Sequence, residues 1–192
     1  MSLPLVQVII GSTREQRRGE PIARWFAELA GARTDLDVAI ADLAELQLPL
    51  LRHASPPMGQ DSRDGAAQGW AQTVDGADGF VIVTPEYNHG YPAPLKNALD
   101  HLFTEWNRKP VGFVSYGASS GGIRAVEQLR LVAVELEMVP MRRQVAIQRV
   151  WSAIADDGQL REPPAEQAHA LLDDLVWWAA ALRAARNAAV VA

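Results

Sequence analysis

Residues 84–100 read Thr84-Pro-Glu-Tyr-Asn-His-Gly-Tyr-Pro-Ala-Pro-Leu-Lys-Asn-Ala-Leu-Asp100, and this stretch decides the fold. The apolar run that leads into it, residues 79–84, predicts a buried strand, and residues 94–103 predict a helix. Prolines, aromatic rings and amides fill the loop between them, so the loop is stiff and polar. In an open parallel sheet, ligands bind at the loops that follow the strands. We therefore expect this loop to form one wall of a binding site.

Strands and helices alternate along the rest of the chain. Apolar runs predict strands at residues 5–10, 79–84 and 111–116. Residues 36–41, with acidic residues among them, and residues 138–147, with Pro140 near the start, complete a set of five strands. Apolar residues at helical spacing predict helices at 21–31, 66–75, 94–103 and 123–136, and a last helix from Pro164. Residues 52–65 are rich in Pro, Gly, Ser and Asp and predict a long loop. This alternation favours a single domain over residues 1–192, a flavodoxin-like three-layer α/β/α sandwich with a five-stranded parallel sheet in the order 2-1-3-4-5.

Composition excludes several classes of function. Lys and Arg number 18 against 23 Asp and Glu, a net charge of −5, so no basic surface for nucleic acid is expected. The chain has no cysteine, so redox chemistry requires a cofactor and thiolate metal sites are excluded. We find neither a signal-type leader nor an apolar segment near the roughly 18 residues that a membrane helix needs. The simplest interpretation is a soluble cytoplasmic protein without a membrane partner.

The first loop, residues 11–20, has the composition of a phosphate site. It combines hydroxyl groups, guanidinium groups and backbone amides directly before a helix N-terminus, where anions are favoured. The candidate residues are Ser12, Thr13, Arg14, Arg17, Arg18 and Gly19. The loop lacks the Gly-Lys-Ser/Thr of nucleoside triphosphate loops and the G-x-G-x-x-G of dinucleotide loops, so a monophosphate fits best. The alternative is that Ser12 and Thr13 only cap the helix while the arginines are solvated.

The loop of the opening stretch suits a flat, polar ring. Pro85 stiffens the turn, Tyr87 offers a planar face, and Asn88 offers a donor and an acceptor. We include Glu86 among the ring-facing candidates, although a lone acid in a loop more often caps backbone or is solvated than acts as a general base. The alternative is an ordinary connection with its tyrosines packed on the surface. His89 has no carboxylate placed beside it, and we assign no catalytic acid or base.

A third loop follows the strand at 111–116. Its candidate residues are Ser115, Tyr116, Gly117 and Gly121, because small residues let backbone amides approach a ligand and Tyr116 can flank a ring. Glycine-rich turns are frequent in α/β proteins, so the composition of this loop is weak evidence by itself. It supports a binding site because the loop follows the strand expected to lie next to 79–84. The four histidines show no metal-ligand spacing, and we expect no metal site.

Three segments together resemble the NADPH-dependent FMN reductase family, which includes flavin, quinone, azo-dye and chromate reductases. They are residues 11–14 (Gly-Ser-Thr-Arg), residues 84–100 with their Pro-Glu-Tyr-Asn and Leu-Lys-Asn-Ala-Leu-Asp, and residues 117–122. The resemblance covers nearly all of the chain through the fourth helix. It implies FMN with its phosphate in the first loop and its ring between residues 85–88 and 115–121. Many relatives carry a serine where this chain has Arg17, which leaves the contact of position 17 open.

The resemblance also implies a ping-pong reaction. NADPH or NADH passes a hydride to the bound flavin, leaves, and is replaced by a small electron acceptor such as a flavin, a quinone, an azo compound or a metal oxyanion. Two other readings stay open: a flavin-binding electron carrier or redox-sensing partner protein, and an interaction domain without a cofactor. Rapid NAD(P)H oxidation with a quinone distinguishes the enzyme from the carrier, and a colourless protein would indicate the interaction domain.

The helix at 123–136 carries more apolar residues than one buried face requires. Residues 123, 126, 129, 133 and 136 form the predicted inward face. Leu131, Val132, Val134 and Met138 lie off that face, which predicts a contact with another protein. We expect a homodimer or a tetramer.

Overall fold

The structure is a computed structural model that describes residues 2–52 and 65–189. Its strands are β1 (Leu5–Ile10), β2 (Asp37–Asp42), β3 (Gly79–Pro85), β4 (Pro110–Tyr116), β5 (Val139–Pro140) and β6 (Val145–Ile147). The strands pair in parallel in the order β2-β1-β3-β4-β5, and β6 also pairs with β4. The predicted strand order is confirmed.

The predicted fifth strand over 138–147 is wrong as a continuous strand, because it is divided into β5 and β6. Between them the chain leaves β4 after Met141, whose N–H still donates to the carbonyl of Val111. The Arg130 guanidinium donates to the carbonyl oxygens of Met141 and Arg142, at 2.5 and 3.2 Å. A side chain therefore satisfies backbone groups that a continuous strand would have paired with its neighbour.

The helices cover both faces of the sheet. They are α1 (Gly19–Gly31), α2 (Leu43–Leu46), α3 (Gly65–Asp75), α4 (Ala93–Asp100), α5 (Ile123–Glu135), α6 (Val150–Ala153) and α7 (Ala165–Ala189). Side chains of β3 alternate between two cores: Val81 and Val83 pack with α1 and α7, whereas Phe80 and Ile82 pack with α3, α4 and α5. The predicted three layers are confirmed. The long loop predicted at 52–65 lies, apart from its two ends, outside the described residues.

Helix α5 follows its predicted pattern with three exceptions, at Ile123, Val132 and Met138. Four of the inward residues are buried: Val126, Leu129, Ala133 and Leu136. Ile123 is 39% exposed, so its predicted burial is wrong; it lies in the first turn, past the carboxyl end of β4. Leu131 and Val134 are exposed, as predicted, whereas Val132 packs against the core. Met138 is buried because it lies directly before β5, so it does not belong to the exposed apolar surface.

Helix α7 closes the other face of the sheet. Its buried stripe comprises Ala168, Leu171, Leu172, Leu175 and Ala179. Trp178, beside this stripe, is partly exposed and stacks edge-on against Trp177 at 5.2 Å between ring centroids. Near the end of α7, Arg186 donates to Asp78, which also accepts the N–H of Leu5. The helix is thus fixed to the amino end of the sheet, opposite the ends where the three loops lie. Within the described residues, no helix is both long and apolar enough to span a bilayer.

Candidate functional site

The three loops predicted to converge do meet, because β1, β3 and β4 are neighbours and their carboxyl ends lie at one edge of the sheet. They enclose a cavity of about 830 Å³. The predicted residues that line it are Ser12, Arg14, Arg17, Arg18, Pro85, Glu86, Tyr87, Asn88, Tyr116 and Gly117. Thr13, Gly19, Ser115 and Gly121 are not part of its lining. This volume is within the range of small-molecule and cofactor sites.

Tyr87 joins the first loop to the loop after β3. The Ser12 hydroxyl is buried and lies 2.9 Å from the Tyr87 hydroxyl. The Arg14 guanidinium lies over the Tyr87 ring, with Cζ 5.5 Å from the ring centroid. The alternative in which Ser12 caps the helix is wrong, because Arg18 occupies the capping position and no side chain caps it. Thr13 is exposed and lines a separate, smaller cavity beside α2 and α4.

The cations of the first loop differ in how they are paired. Arg17 forms an ion pair with Asp42, at the end of β2, and lies 3.7 Å from Glu20. Its Nε is buried and has no hydrogen-bond partner in the part of the chain that the structure describes. Within residues 2–52 and 65–189, Arg14 and Arg18 form no ion pair. Arg14 and Arg18 are therefore cations of the cavity that no ion pair holds, although Glu15 also lines it.

The loop after β3 is a tight hairpin turn. Tyr87 and Gly90 exchange both backbone hydrogen bonds, at 2.8 and 2.9 Å. Asn88 and His89 between them have positive φ angles of 51° and 69°, which is typical of a type I′ turn. The Gln128 amide of α5 donates to the His89 carbonyl at 2.9 Å. The turn exposes Asn88 at the cavity on a backbone held from both sides.

Ser115 and Gly121, two predicted residues that do not line the cavity, hold the loop after β4 in its conformation. The buried Ser115 hydroxyl donates to the carbonyl of Gly121 at 2.7 Å. Gly121 and Gly122 both have positive φ, and a Cβ on Gly122 would lie 2.9 Å from the backbone N and O of Tyr116. Gly19 has a similar role on the other side, since its Cβ would lie 2.7 Å from the Tyr116 hydroxyl oxygen. These residues shape the cavity rather than contact its contents.

Tyr116 contributes a neutral hydroxyl to the cavity. Burial raises the pKa of this hydroxyl, and the neighbouring Tyr87 raises it further, although a hydrogen bond with Ser12 lowers it. The phenol therefore stays protonated at neutral pH. Tyr116 therefore brings no charge to the cavity, and only 4% of the residue is exposed.

Glu86 holds two loops together. Its carboxylate accepts from the Arg124 guanidinium at 2.8 Å, from the Arg124 N–H at 3.2 Å and from the Ser120 hydroxyl at 3.1 Å. Burial alone would raise the pKa of Glu86, but the hydrogen bonds from Arg124 and Ser120 outweigh it and leave the pKa below its usual 4.5. The carboxylate thus supplies the cap that the N-terminus of α5 lacks at Gly122. This agrees with the capping role favoured for Glu86 over that of a general base.

The Glu86→Gln variant should be less stable than the wild type at neutral pH by about 1 kcal/mol, a modest value because much of Arg124 is exposed. A carboxylate with a lowered pKa stabilises the folded state above pH 4.5 and loses this effect as the pH falls through its folded pKa. The stability difference should therefore shrink below pH 4.5. Thermal unfolding across this range measures it, with Glu127→Gln, an exposed carboxylate on α5, as the control. A difference that is independent of pH would contradict the assignment.

Nine residues that line the cavity are not among the predicted site residues. Six of them lie within the three predicted loops, whereas Arg124, Val150 and Trp151 lie outside these loops. Arg124 begins α5 and pairs with Glu86, and nothing in the sequence links two positions so far apart. Val150 and Trp151 come from α6, after β6. Loops that follow parallel strands form the site in folds of this kind, and Val150 and Trp151 follow the second part of the divided fifth strand. The sequence therefore held a signal for these two residues.

The lining fits the FMN that the resemblance implies. Arg14, Arg18 and the unpartnered Nε of Arg17 give one end of the cavity the donors that a phosphate requires. Tyr87, which is partly exposed, offers aromatic surface for a flat ring, whereas Tyr116 lines the cavity with only 4% of the residue exposed. Among the described residues, no three His, Asp or Glu side chains cluster as metal ligands.

Comparison with known proteins agrees with this chemistry. Residues 4–152 match the NADPH-dependent FMN reductase family. An NAD(P)H-dependent FMN reductase of Schizosaccharomyces pombe is 45% identical over 137 residues, covering 70% of this chain and 68% of that protein. A quinone reductase of Pseudomonas putida is 29% identical, covering 90% of this chain and 93% of that protein. The solved structure of FerB, a flavoenzyme NAD(P)H:(acceptor) oxidoreductase from Paracoccus denitrificans, shares the fold, with a TM-score of 0.73 at 24% identity over 92% of this chain and 97% of that one.

The family match extends over the three loops and over every strand of the sheet. The cavity that these loops enclose has the donors and the ring surfaces that the family's cofactor requires. This chain therefore belongs to the NADPH-dependent FMN reductase family and is an FMN-dependent NAD(P)H oxidoreductase.

Proposed function

We propose that the cavity between the three loops is the FMN site and the place where both substrates react. Ser12, Arg14 and Arg18 bind the phosphate, and the backbone amides at the start of α1 complete its coordination. The flat ring lies against residues 85–88 and 116–117. The observation that carries this proposal is that two arginines without ion pairs line the same cavity as Tyr87, over whose ring the Arg14 guanidinium lies.

When bound, FMN supplies the redox chemistry that couples oxidation of NAD(P)H to reduction of a small acceptor. The chain itself binds the cofactor and the substrates and orients them. The hydrogen bond between Ser12 and Tyr87 fixes the phosphate loop relative to the ring-facing loop, and Glu86 fixes the latter relative to α5. Neither Glu86, which is held ionised, nor Tyr116, which is held neutral, is suited to exchange a proton near neutral pH. The acceptors proposed are flavins, quinones, azo compounds or metal oxyanions.

We also propose that residues 1–192 form one FMN-binding domain, that it acts in the cytoplasm, and that it assembles as a homodimer or tetramer. Leu131, 75% exposed, and Val134 support the assembly, because they place apolar surface on the outer side of α5. Light scattering should give at least twice the chain mass of 20.9 kDa. A mass equal to one chain would contradict the assembly.

A spectrum of the purified protein followed by anaerobic titration with NADPH and with NADH tests the proposed activity. We expect flavin absorption that bleaches rapidly with one or both nucleotides and returns when a quinone or free flavin is added, through repeated turnovers. Slow bleaching without turnover would favour the electron carrier. A colourless protein that does not bind added FMN would overturn the site.

A further inference from the structure

The residue Trp151 lies on the wall of the cavity with its side chain 67% exposed. Burial of a large aromatic side chain is energetically favourable. An exposed one on the wall of a binding cavity can therefore pack against the apolar surface of a ligand. The close pairs of aromatic rings among the described residues are Trp25–Phe26, Trp70–Trp106, Phe80–Trp106 and Trp177–Trp178. The Trp151 ring has no such partner.

The backbone beneath Trp151 is firmly held. Arg149 turns the chain with a φ of 48° and donates its N–H to the carbonyl of Ala118 at 2.8 Å. Val150 donates to the carbonyl of Gly117 at 3.0 Å. Both acceptors belong to the loop after β4, so two backbone hydrogen bonds attach the start of α6 to the wall of the cavity. The indole is therefore presented from a fixed base next to residues 117–120.

The cavity wall that carries Trp151 also carries residues with short side chains. Ala118, Ser119 and Ser120 leave space beside the indole, because none has a side chain longer than a hydroxymethyl group. Arg124, the cation of the cavity on α5, is neutralised by Glu86. Stacking on the indole requires a planar ring, which a compact inorganic anion does not have.

We propose that Trp151 binds planar rings that enter the cavity and so sets the enzyme's selectivity for aromatic acceptors over compact inorganic oxidants. The inference rests on the proposed FMN site and deepens it. A quinone bound under the indole is reduced to the hydroquinone with consumption of NAD(P)H and one proton and release of NAD(P)⁺. Stacking affects how such a ring is bound and leaves the cofactor's own affinity unchanged.

The test compares Trp151→Ala and Trp151→Phe with Trp177→Ala, which removes a tryptophan of similar exposure, 64%, that does not line the cavity. Holoenzymes are assayed with 1,4-naphthoquinone and with ferricyanide. Trp151→Ala should raise the KM for the quinone roughly three- to tenfold, the range of an aromatic stacking contribution. Trp151→Phe should restore most of this loss. The ferricyanide kinetics, the FMN content and the Trp177→Ala variant should stay within about twofold of the wild type.

Several outcomes would overturn the role of Trp151. Equal losses with both acceptors, no loss with either, or a loss confined to the NADPH half-reaction would each exclude selectivity for aromatic acceptors. A change in mass by light scattering in Trp151→Ala would assign the effect to subunit assembly instead. Failure of the FMN site itself is a separate result, seen in the wild type as a protein without flavin.

Discussion

The Arg14→Ala variant is expected to bind FMN roughly 10- to 100-fold more weakly than the wild type, while its affinity for riboflavin stays unchanged. Hydrogen bonds to charged groups contribute about 1.5–3 kcal/mol, which corresponds to this range. Arg14 lines the cavity and has no ion-pair partner in residues 2–52 and 65–189, so its charge is available to the phosphate. Riboflavin lacks that phosphate. Quenching of flavin fluorescence on titration into apoprotein measures both affinities.

Arg24→Ala is the matched control for this experiment. Arg24 lies on α1, pairs with Glu20 at 2.6 Å at the surface and does not line the cavity. Its removal changes the net charge by the same amount and should leave both affinities unchanged. If Arg14→Ala weakened riboflavin as much as FMN, Arg14 would act on the ring through Tyr87 rather than on the phosphate. Unchanged FMN binding would remove Arg14 from the site.

The Gly122→Ala variant should lose roughly 3 kcal/mol of stability, with a melting temperature lower by about 6–12 °C. Gly122 has a φ of +86°, and its Cβ would lie 2.8 Å from Cβ of Ser115 and 2.9 Å from backbone atoms of Tyr116. Backbone in the middle of a parallel sheet cannot move aside as a flexible side chain can. The loop after β4 should also be displaced, so FMN binding should weaken together with stability.

Gly69→Ala provides the comparison, since Gly69 lies inside α3 and its Cβ would meet no atom within 4 Å. This substitution should stabilise the protein by about 0.5–1 kcal/mol, because alanine loses less backbone entropy in a helix. Thermal and urea unfolding of both variants measure the difference. Equal stability of the two variants would contradict the close contact described for Gly122.

Local pattern predicted the sheet and the approximate site well. The buried strands β1, β3 and β4 are continuous apolar runs that need no knowledge of distant residues. Once their order is known, the convergence of their following loops is geometric. The prediction of the fifth strand failed although Pro140 and the polar residues 142–144 lie within it, because the sequence does not show that Arg130, from α5, binds the carbonyl groups at its break.

The positions of individual side chains in the loops were less predictable, because they too depend on partners that are distant in the sequence. Ser12 and Thr13 are adjacent and chemically alike, yet one lies buried in the site and the other lines a different cavity. Arg17 and Arg18 differ because Asp42, at the end of a neighbouring strand, pairs with only one of them. Such choices depend on partners from elsewhere in the chain, which composition and spacing do not encode.

The division of the fifth strand also bears on how the protein avoids aggregation. Exposed sheet edges can template pairing with another molecule, and long, flat, apolar edges do so most readily. Here the β5 and β6 segments contain two and three residues, Pro140 offers no N–H, and Arg142 and Arg143 stand exposed at the break. The opposite edge, β2, begins and ends with aspartate. The long apolar strands β3 and β4 are therefore enclosed between two borders that discourage intermolecular strand addition.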